Sequence, residues 1–483
     1  MFDIKLLVNG KDADAARGET FERRNPLSGQ VVTRAAAGRA EDAVKLAEAA
    51  AAAFPAWADT APNARRKLLE AAAAKLRQRA AEFAERCAAE TGATAGWGHF
   101  NVQFGAALLD EAAAMTTQVA GEVVPSDHHG TLAMAVRQPC GVVLGMVPWN
   151  APVILGVRAV AMPLACGNTV ILKASEICPA THRLIGEVFA ESGFPPGVVN
   201  VMLHAAEAAP SVAEAMIGHR AVRRVNFTGS TRVGRLIAEL AGRHLKPVLL
   251  ELGGKAPAVV LDDADLDEAA AACSFGAFMH QGQICMSTER VIVDAKIADD
   301  FVARFKKRAE TLTLGDPAEG RFALAGLVDE ASVARVNALI ADAMEKGAAI
   351  VYGGPSKSVL FAPTIVDRVT REMRIYAEES FGPVVAVIRA EDADDAVRLA
   401  NDSDYGLAAA VFGRDIGRAL SVARRIESGI CHINSATVQD EGQMPFGGVK
   451  NSGYGRFGGR AAIAEFTDLR WISVATEPRH YPI

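Results

Sequence analysis

Apolar residues recur at helical spacing early in the chain and later form short continuous runs. In residues 40–53 and 63–90, Ala and Leu alternate with charged residues at intervals that predict two amphipathic helices. After residue 139 the apolar runs become short and end at Pro, Gly or polar residues, which predicts fully buried strands. These strands are expected at 141–147, 169–173, 198–203, 222–229 and 247–252.

Helical segments separate these strands, so each pair is joined by a crossover that makes them parallel. Because the strands are apolar throughout, both faces of their sheet should be covered by helices. A doubly wound α/β sheet of this kind binds dinucleotides where its strands end. The helices are expected at 152–165, 179–192, 212–217 and 230–242.

A second α/β pattern follows residue 254 and predicts a second domain. The segment 466–474 alternates weakly and predicts a strand that could add to a partner's sheet. The strands of the second pattern are expected at 256–261, 290–294, 383–388 and 408–412, and its helices at 266–279, 297–312 and 393–400.

Composition excludes two classes of partner. The 483 residues include 51 basic and 57 acidic side chains without a basic stripe, so no nucleic acid is expected. Between Arg137 and Lys173 the only charge is Arg158, but prolines interrupt this stretch and no membrane span is expected. The seven cysteines form no CxxC pair, which indicates a reducing compartment, and the cytoplasm is the expected location.

Cys285 and Glu251 are candidates for covalent catalysis. Cys285 lies on a glycine-bearing turn between a predicted helix and strand, although a lone Cys is more often a small buried hydrophobe. Glu251 ends a predicted strand before Gly-Gly, where burial would raise its pKa and make it a general base. A solvated turn residue is the alternative interpretation of Glu251.

Trp149 and Asn150 directly follow the predicted strand 141–147. An Asn amide at that place can donate to an oxyanion that develops during acyl transfer. Pro and Asn are also ordinary turn residues, so a plain turn remains the other interpretation.

Two further strand ends carry signals for a dinucleotide. Gly229, Ser230 and Gly234 lie where a helix begins, and its free N–H groups suit a pyrophosphate. Lys173 and Glu176 follow another strand, where they could bind ribose hydroxyls and where Glu176 would repel a 2′-phosphate. NAD is therefore the expected cofactor and NADP the alternative. Each segment alone could also be a plain strand–helix junction.

Seven segments in a fixed order resemble the aldehyde dehydrogenase superfamily across nearly the whole chain. The resemblance implies a coenzyme-binding domain (1–117 and 139–252), a catalytic domain (253–440) and an oligomerisation element (118–138 and 463–483) in a homodimer or homotetramer. The segments are PWN at 148–150, KASE at 173–176, FTGSTRVG at 227–234, ELGGK at 251–255, GQIC at 282–285, EESFGPV at 378–384 and PFGG at 445–448.

The resemblance also implies roles. Cys285 matches the nucleophile, Asn150 and the Cys285 backbone N–H match the oxyanion donors, and Glu251 matches the base that activates water. Residues at matching positions are expected to contact the coenzyme, with Glu379 and Phe381 holding the nicotinamide ribose and ring. The expected coenzyme contacts are Trp149, Lys173, Glu176, Gly229, Ser230, Gly234, Glu379 and Phe381.

Two positions depart from the family pattern. Many members carry Lys where this chain has Ala159 and Glu where it has Phe457, a pair thought to relay protons from the general base. Because both residues are apolar here, the proton released through Glu251 is expected to leave by another route.

Several longer stretches look like the branch of the family that oxidises aromatic aldehydes such as salicylaldehyde and vanillin. In the expected substrate pocket, Arg158 would hydrogen-bond a ring substituent or form a structural ion pair. An aliphatic aldehyde or semialdehyde is the alternative substrate, and a non-catalytic relative is a further alternative. The expected lining is Trp97, Ile154, Leu155, Arg158, Ile284, Met286 and Phe446.

A metal site is not expected. The only cluster of ligand types is Asp127, His128 and His129, which lies in a predicted exposed hairpin and lacks the spacing of a zinc motif.

Overall fold

Short strands and helices alternate along the chain as the apolar pattern predicts. The computed structural model describes residues 1–483. The helices are α1 (Ala40–Ala58), α2 (Pro62–Gln78), α3 (Ala80–Thr91), α4 (Ala95–Met115), α5 (Pro152–Ala165), α6 (Pro179–Glu191), α7 (Ala209–Gly218), α8 (Thr231–Arg243), α9 (Leu266–Phe278), α10 (Ala298–Glu310), α11 (Glu330–Glu345), α12 (Arg374–Ala377), α13 (Ala393–Asn401), α14 (Ile416–Ala423) and α15 (Gly459–Glu465).

The strands are mostly short and lie in five sheets. They are β1 (Phe2–Ile4), β2 (Leu6–Val8), β3 (Lys11–Ala13), β4 (Thr20–Arg24), β5 (Val31–Ala36), β6 (Glu122–Val124), β7 (Thr131–Pro139), β8 (Val142–Met146), β9 (Thr169–Lys173), β10 (Val199–Met202), β11 (Val222–Thr228), β12 (Val248–Glu251), β13 (Ala256–Val260), β14 (Thr288–Asp294), β15 (Ala349–Tyr352), β16 (Thr364–Asp367), β17 (Val384–Ala390), β18 (Tyr405–Gly406), β19 (Ala408–Phe412), β20 (Ile430–Ile433), β21 (Val449–Lys450), β22 (Gly453–Tyr454) and β23 (Thr467–Ala475).

The largest sheet has eight strands in the order β22-β12-β11-β8-β9-β10-β2-β3. Its five central strands, β12 to β10, are parallel, and their side chains are almost all buried. Helices α5 and α6 pack together beside β8 to β10, and α1 packs with α7 over the same strands and β11. This is the doubly wound α/β arrangement that the continuous apolar runs predict.

A second sheet has the order β15-β16-β17-β14-β13-β19-β20, and all its strands are parallel except β15. It carries its own core of buried Val, Ile, Leu and Phe side chains on both faces. The α/β fold class is confirmed for both halves of the chain.

A third sheet has the order β23-β7-β6. Strand β23 lies antiparallel along the whole of β7 in the same chain, from Thr467 opposite Pro139 to Ala475 opposite Thr131. The predicted C-terminal strand therefore exists, but its first partner is the hairpin of its own chain. Its residues Leu469 and Trp471 remain 62% and 80% exposed.

The predicted helix over 63–90 is wrong in one respect, because two helices occupy this range. Arg79 leaves the helical backbone between α2 and α3, with φ −93° and ψ 17°. Its guanidinium donates to Glu82 and reaches Glu187 and Glu191, so a charged cluster holds the bend. Helix α1 extends beyond the predicted end to Ala58.

Helix α4 is the main element that the apolar pattern misses. The helix carries apolar side chains on all sides, and its buried residues include Gly98, Gly105 and several alanines. No single apolar stripe along the sequence therefore indicates a helix. The helix packs on α2, α3 and α5. Helix α11 and strands β15 and β16 are also absent from the pattern.

The apolar stretch between Arg137 and Lys173 folds as β8, α5 and β9. No helix in the structure combines the length and apolar character that crossing a membrane requires.

Candidate active site

The carboxyl ends of four parallel strands meet at one edge of the eight-stranded sheet. Met146 at the end of β8 lies opposite Lys173 of β9 on one side and Phe227 of β11 on the other. Thr228 of β11 lies opposite Glu251 of β12. The segments that follow these strands therefore face one another, as expected for a ligand site in a parallel sheet.

A cavity of about 390 Å³ opens at this edge, between the two large sheets. Of the eight residues expected to contact a coenzyme, five line it, whereas Lys173, Glu176 and Gly234 do not. The lining comprises Pro148, Trp149, Asn150, Leu155, Thr228, Gly229, Ser230, Glu251, Leu252, Gly253, Cys285, Val328, Asp329, Ser332, Arg335, Glu379 and Phe381.

Ser230 is the N-cap of α8, and its hydroxyl accepts a hydrogen bond from the Val233 N–H at 3.4 Å. The N-terminus of α8 thus points at the cavity, as a pyrophosphate site requires. Gly234 lies one turn further into the helix and packs on Leu252, since a Cβ there would come within 2.4 Å of the Leu252 side chain. Its structural role is close helix–strand packing.

Lys173 is buried at the end of β9, where its Nζ donates to the Ala174 carbonyl oxygen at 3.5 Å. Burial lowers the pKa of Lys173 to about 8, and the nearby Glu176 carboxylate opposes this shift. Glu176 is partly exposed beyond the strand. Both residues lie at the predicted edge of the sheet, but they do not line the cavity.

Glu251 is fully buried, and neither of its carboxylate oxygens accepts a hydrogen bond. Burial raises the pKa of Glu251 to about 7. A carboxylate in this state is partly ionised near neutral pH and has lone pairs free to take a proton, which suits a general base.

Cys285 follows a loop with a constrained backbone. The residues from His280 to Gly282 all have positive φ, between 49° and 67°, a conformation that is rare for side chains other than Gly. The loop after β12 packs directly against it, because a Cβ on Gly254 would come within 2.5 Å of the Cys285 carbonyl oxygen. The nucleophile candidate is therefore held beside the Glu251 loop.

Burial raises the pKa of the Cys285 thiol well above its ordinary value, and the Glu251 carboxylate raises it further. Asn150 donates from Nδ2 to the Gln283 carbonyl oxygen at 2.9 Å, and its own backbone oxygen accepts from Trp97 Nε1 at 2.9 Å. The amide is thereby tied to the loop that carries Cys285, and the three predicted catalytic residues lie together.

A buried ion pair supports the loop that carries Glu379. Lys255 donates from Nζ to Glu289 at 2.7 Å. Glu289 also accepts from the Ser380 hydroxyl at 2.8 Å and from the N–H groups of Ser380 and Phe381. Glu289 lies on β14, only four residues after Cys285. It was not among the predicted site residues, because its partner Lys255 is close only in the folded chain.

Glu379 itself accepts a hydrogen bond from the Gly254 N–H at 2.8 Å. Burial, together with the nearby Glu289 carboxylate, raises the pKa of Glu379 to about 7. Phe381 packs edge-on against Trp149 with ring centroids 5.9 Å apart. An aromatic pair and an acidic acceptor therefore frame the cavity next to Cys285.

A second cavity of about 260 Å³ meets the first at Asn150, Leu155 and Cys285. All seven residues expected to form the substrate pocket line it. Asn150 and Cys285 were predicted as catalytic residues, and the other eight lining residues, three of them aromatic, were not predicted. The full lining is Trp97, Phe100, Phe104, Asn150, Ala151, Ile154, Leu155, Arg158, Phe275, Met279, Ile284, Cys285, Met286, Val438, Gln439, Asp440 and Phe446.

Arg158 lies in this second cavity and forms a largely buried ion pair with Asp440. Its guanidinium also lies over the Phe446 ring, 4.2 Å from the centroid. The expected structural ion pair is therefore present, and the pair is placed where it can also contact a substrate. Asp440 was not predicted from the sequence.

The positions of the missing proton relay are packed and apolar. Ala159 packs against Gly145, because a Cβ added at Gly145 would lie 2.8 Å from the Ala159 methyl group. The Ala159 carbonyl oxygen accepts a hydrogen bond from Asn226 Nδ2. Phe457 is buried against Phe466 with ring centroids 6.3 Å apart. Neither place carries a titratable side chain.

The sequence profile of the aldehyde dehydrogenase family matches residues 13–472. The chain belongs to the aldehyde dehydrogenase family. It is 59% identical over 483 residues to the vanillin dehydrogenase of Pseudomonas fluorescens and covers that protein completely. It is 49% identical over 479 residues to the salicylaldehyde dehydrogenase of Pseudomonas sp. strain C18, with 99% of each chain aligned.

A solved structure is equally similar along the whole chain. The crystal structure of a salicylaldehyde dehydrogenase from Pseudomonas putida G7, complexed with salicylaldehyde, has a TM-score of 0.99 and 48% identity and covers all of both chains. The predicted family and enzyme class are therefore confirmed. The family oxidises aldehydes with NAD or NADP.

The first cavity suits the pyrophosphate and nicotinamide parts of a nicotinamide dinucleotide. The α8 N-terminus offers free N–H groups for phosphates, Glu379 offers an acceptor for hydroxyl groups, and the Trp149–Phe381 pair offers an apolar wall for a ring. These groups line the cavity that meets the second one at Cys285.

Proposed function

We propose that this aldehyde dehydrogenase oxidises a hydroxylated or methoxylated benzaldehyde, such as vanillin or salicylaldehyde, to its carboxylic acid. The observation that carries the proposal is the second cavity, which has an aromatic lining and one buried ion pair, Arg158–Asp440. Apolar walls suit a planar ring, and a single polar pair suits a ring hydroxyl or methoxyl group. The names of the relatives at 49–59% identity support the same substrate class.

The reaction begins when the Cys285 sulfur attacks the aldehyde carbon. The thiol proton passes to solvent, so that Glu251, the unpaired buried carboxylate next to Cys285 with a pKa raised to about 7, is free to act as the base in the later hydrolytic step. Asn150 Nδ2 and the Cys285 backbone N–H donate to the oxyanion that forms on the substrate oxygen.

Collapse of this thiohemiacetal breaks the C–H bond. A bound nicotinamide supplies the acceptor for the hydride. The acyl group then remains on Cys285 as a thioester, and Glu251 deprotonates a water molecule that attacks its carbonyl carbon. The carboxylic acid leaves, Glu251 returns the water proton to the Cys285 thiolate, and the one net proton released is the thiol proton that passed to solvent, since Ala159 and Phe457 provide no titratable relay.

NAD is the proposed cofactor. Glu176 lies just beyond the end of β9 at the coenzyme edge, where its carboxylate would oppose a 2′-phosphate. Lys173 and Glu176 are proposed to bind the adenosine ribose, Trp149, Gly229 and Ser230 the middle of the coenzyme, and Glu379 and Phe381 its nicotinamide end. Gly234 contributes through helix packing.

The chain is further proposed to form a homodimer or homotetramer in the cytoplasm. The exposed apolar side chains of β6 and β23, among them Val123, Leu469 and Trp471, form a surface that a second copy can cover. The seven cysteines are all unpaired, as suits a reducing compartment. Light scattering of the wild type and of Trp471→Lys tests the assembly, since the charged variant should give smaller particles.

A steady-state panel tests the substrate. Vanillin, salicylaldehyde, benzaldehyde and hexanal would each be assayed with NAD and with NADP. The proposal expects the highest kcat/KM for the substituted benzaldehydes with NAD. A higher kcat/KM for hexanal would instead favour an aliphatic aldehyde, and a higher value with NADP would contradict the proposed cofactor.

A further inference from the structure

A third cavity, of about 370 Å³, lies between α9, α10 and the segment that follows α10. Of its ten lining residues, only Phe275 and Met279 also line the second cavity, so the two cavities are neighbours with largely separate walls. Phe275 is 48% exposed, which places it where the second cavity opens towards the third. None of the catalytic residues lines the third cavity.

Packed elements hold the walls of this cavity in place. The ring of Phe278 on α9 stacks on Phe305 of α10, with centroids 5.9 Å apart and 21° between the planes. The segment after α10 folds back on itself, since Leu314 pairs with Leu324 and the Leu324 N–H donates to the Thr313 carbonyl oxygen at 2.9 Å. The cavity is therefore preformed, as binding pockets for small molecules usually are.

The polar groups of the third cavity differ from those of the second. Arg308 is exposed, and its guanidinium pairs with no carboxylate of the chain. Ser274 is only 6% exposed, yet its hydroxyl has no hydrogen-bond partner in the chain. In the second cavity, by contrast, Asp440 compensates the charge of Arg158. An uncompensated positive charge beside apolar walls is thus found only in the third cavity of the two.

We propose that the third cavity binds an aromatic carboxylate, the chemical class of product that the second cavity releases. Its description as a product site rests on the aromatic substrate class proposed above. The aromatic ring lies against Phe275 and Phe278, and the carboxylate accepts hydrogen bonds from the Arg308 guanidinium. The Ser274 hydroxyl is free to donate to a ring substituent. An aldehyde carries no charge and gains less from Arg308, so this cavity distinguishes the product from the substrate.

Equilibrium dialysis of the full-length enzyme with vanillate tests the site. NAD is left out and benzaldehyde is added in excess, so that the second cavity is occupied without turnover. We expect about one bound vanillate per chain, and Arg308→Gln should weaken this binding about tenfold, the scale of a hydrogen bond between charged groups. The matched control is Lys307→Gln, because Lys307 is an exposed basic residue of α10 that does not line the cavity. Its affinity for vanillate should stay within about twofold of the wild type.

Vanillyl alcohol, which has the same ring without the charge, serves as a second probe. It should bind the wild type several-fold more weakly than vanillate does, and Arg308→Gln should leave its affinity unchanged. Equal weakening of both ligands by Arg308→Gln would overturn the proposed charge recognition.

Vanillate binding that benzaldehyde abolishes would overturn the site, as would an equal loss in Lys307→Gln. A wild-type enzyme that prefers hexanal to vanillin but binds vanillate through Arg308 would contradict the proposed function alone. An enzyme that prefers vanillin but binds no vanillate through Arg308 would overturn the third-cavity site alone.

Discussion

The two cavities that meet at Cys285 are built in different ways. The coenzyme-side cavity is formed by strand ends, a helix N-terminus and loops tied together by hydrogen bonds, such as those around Glu289. The substrate-side cavity is formed by side chains of α4, α5, the Cys285 loop and the segment 438–446, and carries one buried ion pair, Arg158–Asp440. Backbone geometry thus defines the general chemistry, whereas side-chain identity defines which aldehyde fits.

Substitution of Cys285, where the two cavities meet, should have the largest effect. Cys285→Ala removes the atom that both cavities serve, and we expect kcat to fall on the order of 10⁴-fold or more, as for other covalent nucleophiles. Dehydrogenase assays with vanillin and NAD measure the loss. Coenzyme binding, followed by quenching of tryptophan fluorescence, should persist, because the first cavity keeps its walls. Retained turnover would show that Cys285 is not the nucleophile.

Glu251 should matter nearly as much. Glu251→Gln preserves the shape of the buried side chain but removes the proton acceptor, so kcat should fall about 10²- to 10⁴-fold. In the wild type, kcat should decline as pH falls through about 7, since the raised pKa of Glu251 leaves the inactive protonated form below that pH. A wild-type profile that stays flat from pH 8 to pH 6 would argue against Glu251 as the base.

A change in the substrate-side cavity should alter selectivity. Arg158→Ala should raise KM for vanillin about tenfold more than KM for benzaldehyde, because it removes a charged hydrogen-bond donor. The double variant Arg158→Ala/Asp440→Ala serves as the control, since it leaves no buried unpaired carboxylate. Equal effects on the two aldehydes would show that the ion pair is purely structural.

A change in the support of the coenzyme-side cavity should have the smallest effect. Ser380→Ala removes the hydroxyl that donates to Glu289 at 2.8 Å while the backbone contacts remain. KM for NAD should rise about two- to tenfold, the scale of one ordinary hydrogen bond, because the backbone N–H groups still bind Glu289, and KM for vanillin should not change. A rise in both constants would mean that the loop does not act through the coenzyme.

The same comparison explains what could be predicted from the sequence. The strand ends that carry Asn150, Glu251 and Ser230 follow continuous apolar runs, so their common edge could be inferred before the fold was seen. Phe100 and Phe104 lie on α4, which carries apolar side chains on all sides. Without a single apolar stripe, the sequence did not predict this helix.

The pairs Arg158–Asp440 and Lys255–Glu289 join residues that are far apart in the chain. No local pattern encodes such pairs. Sequence reasoning therefore reached the catalytic residues and much of the pocket wall, but not the residues that support them or the second half of the ion pair.

The central claim is that an aromatic acyl group forms on Cys285. Glu251→Gln, mixed with vanillin and NAD and examined within milliseconds, tests it most directly, because hydride transfer precedes the step that this variant blocks. We predict a burst of NADH close to one per active site, with the vanilloyl group found on Cys285 by mass spectrometry of the quenched protein. Slow NADH formation without a burst and without acylated Cys285 would contradict the account.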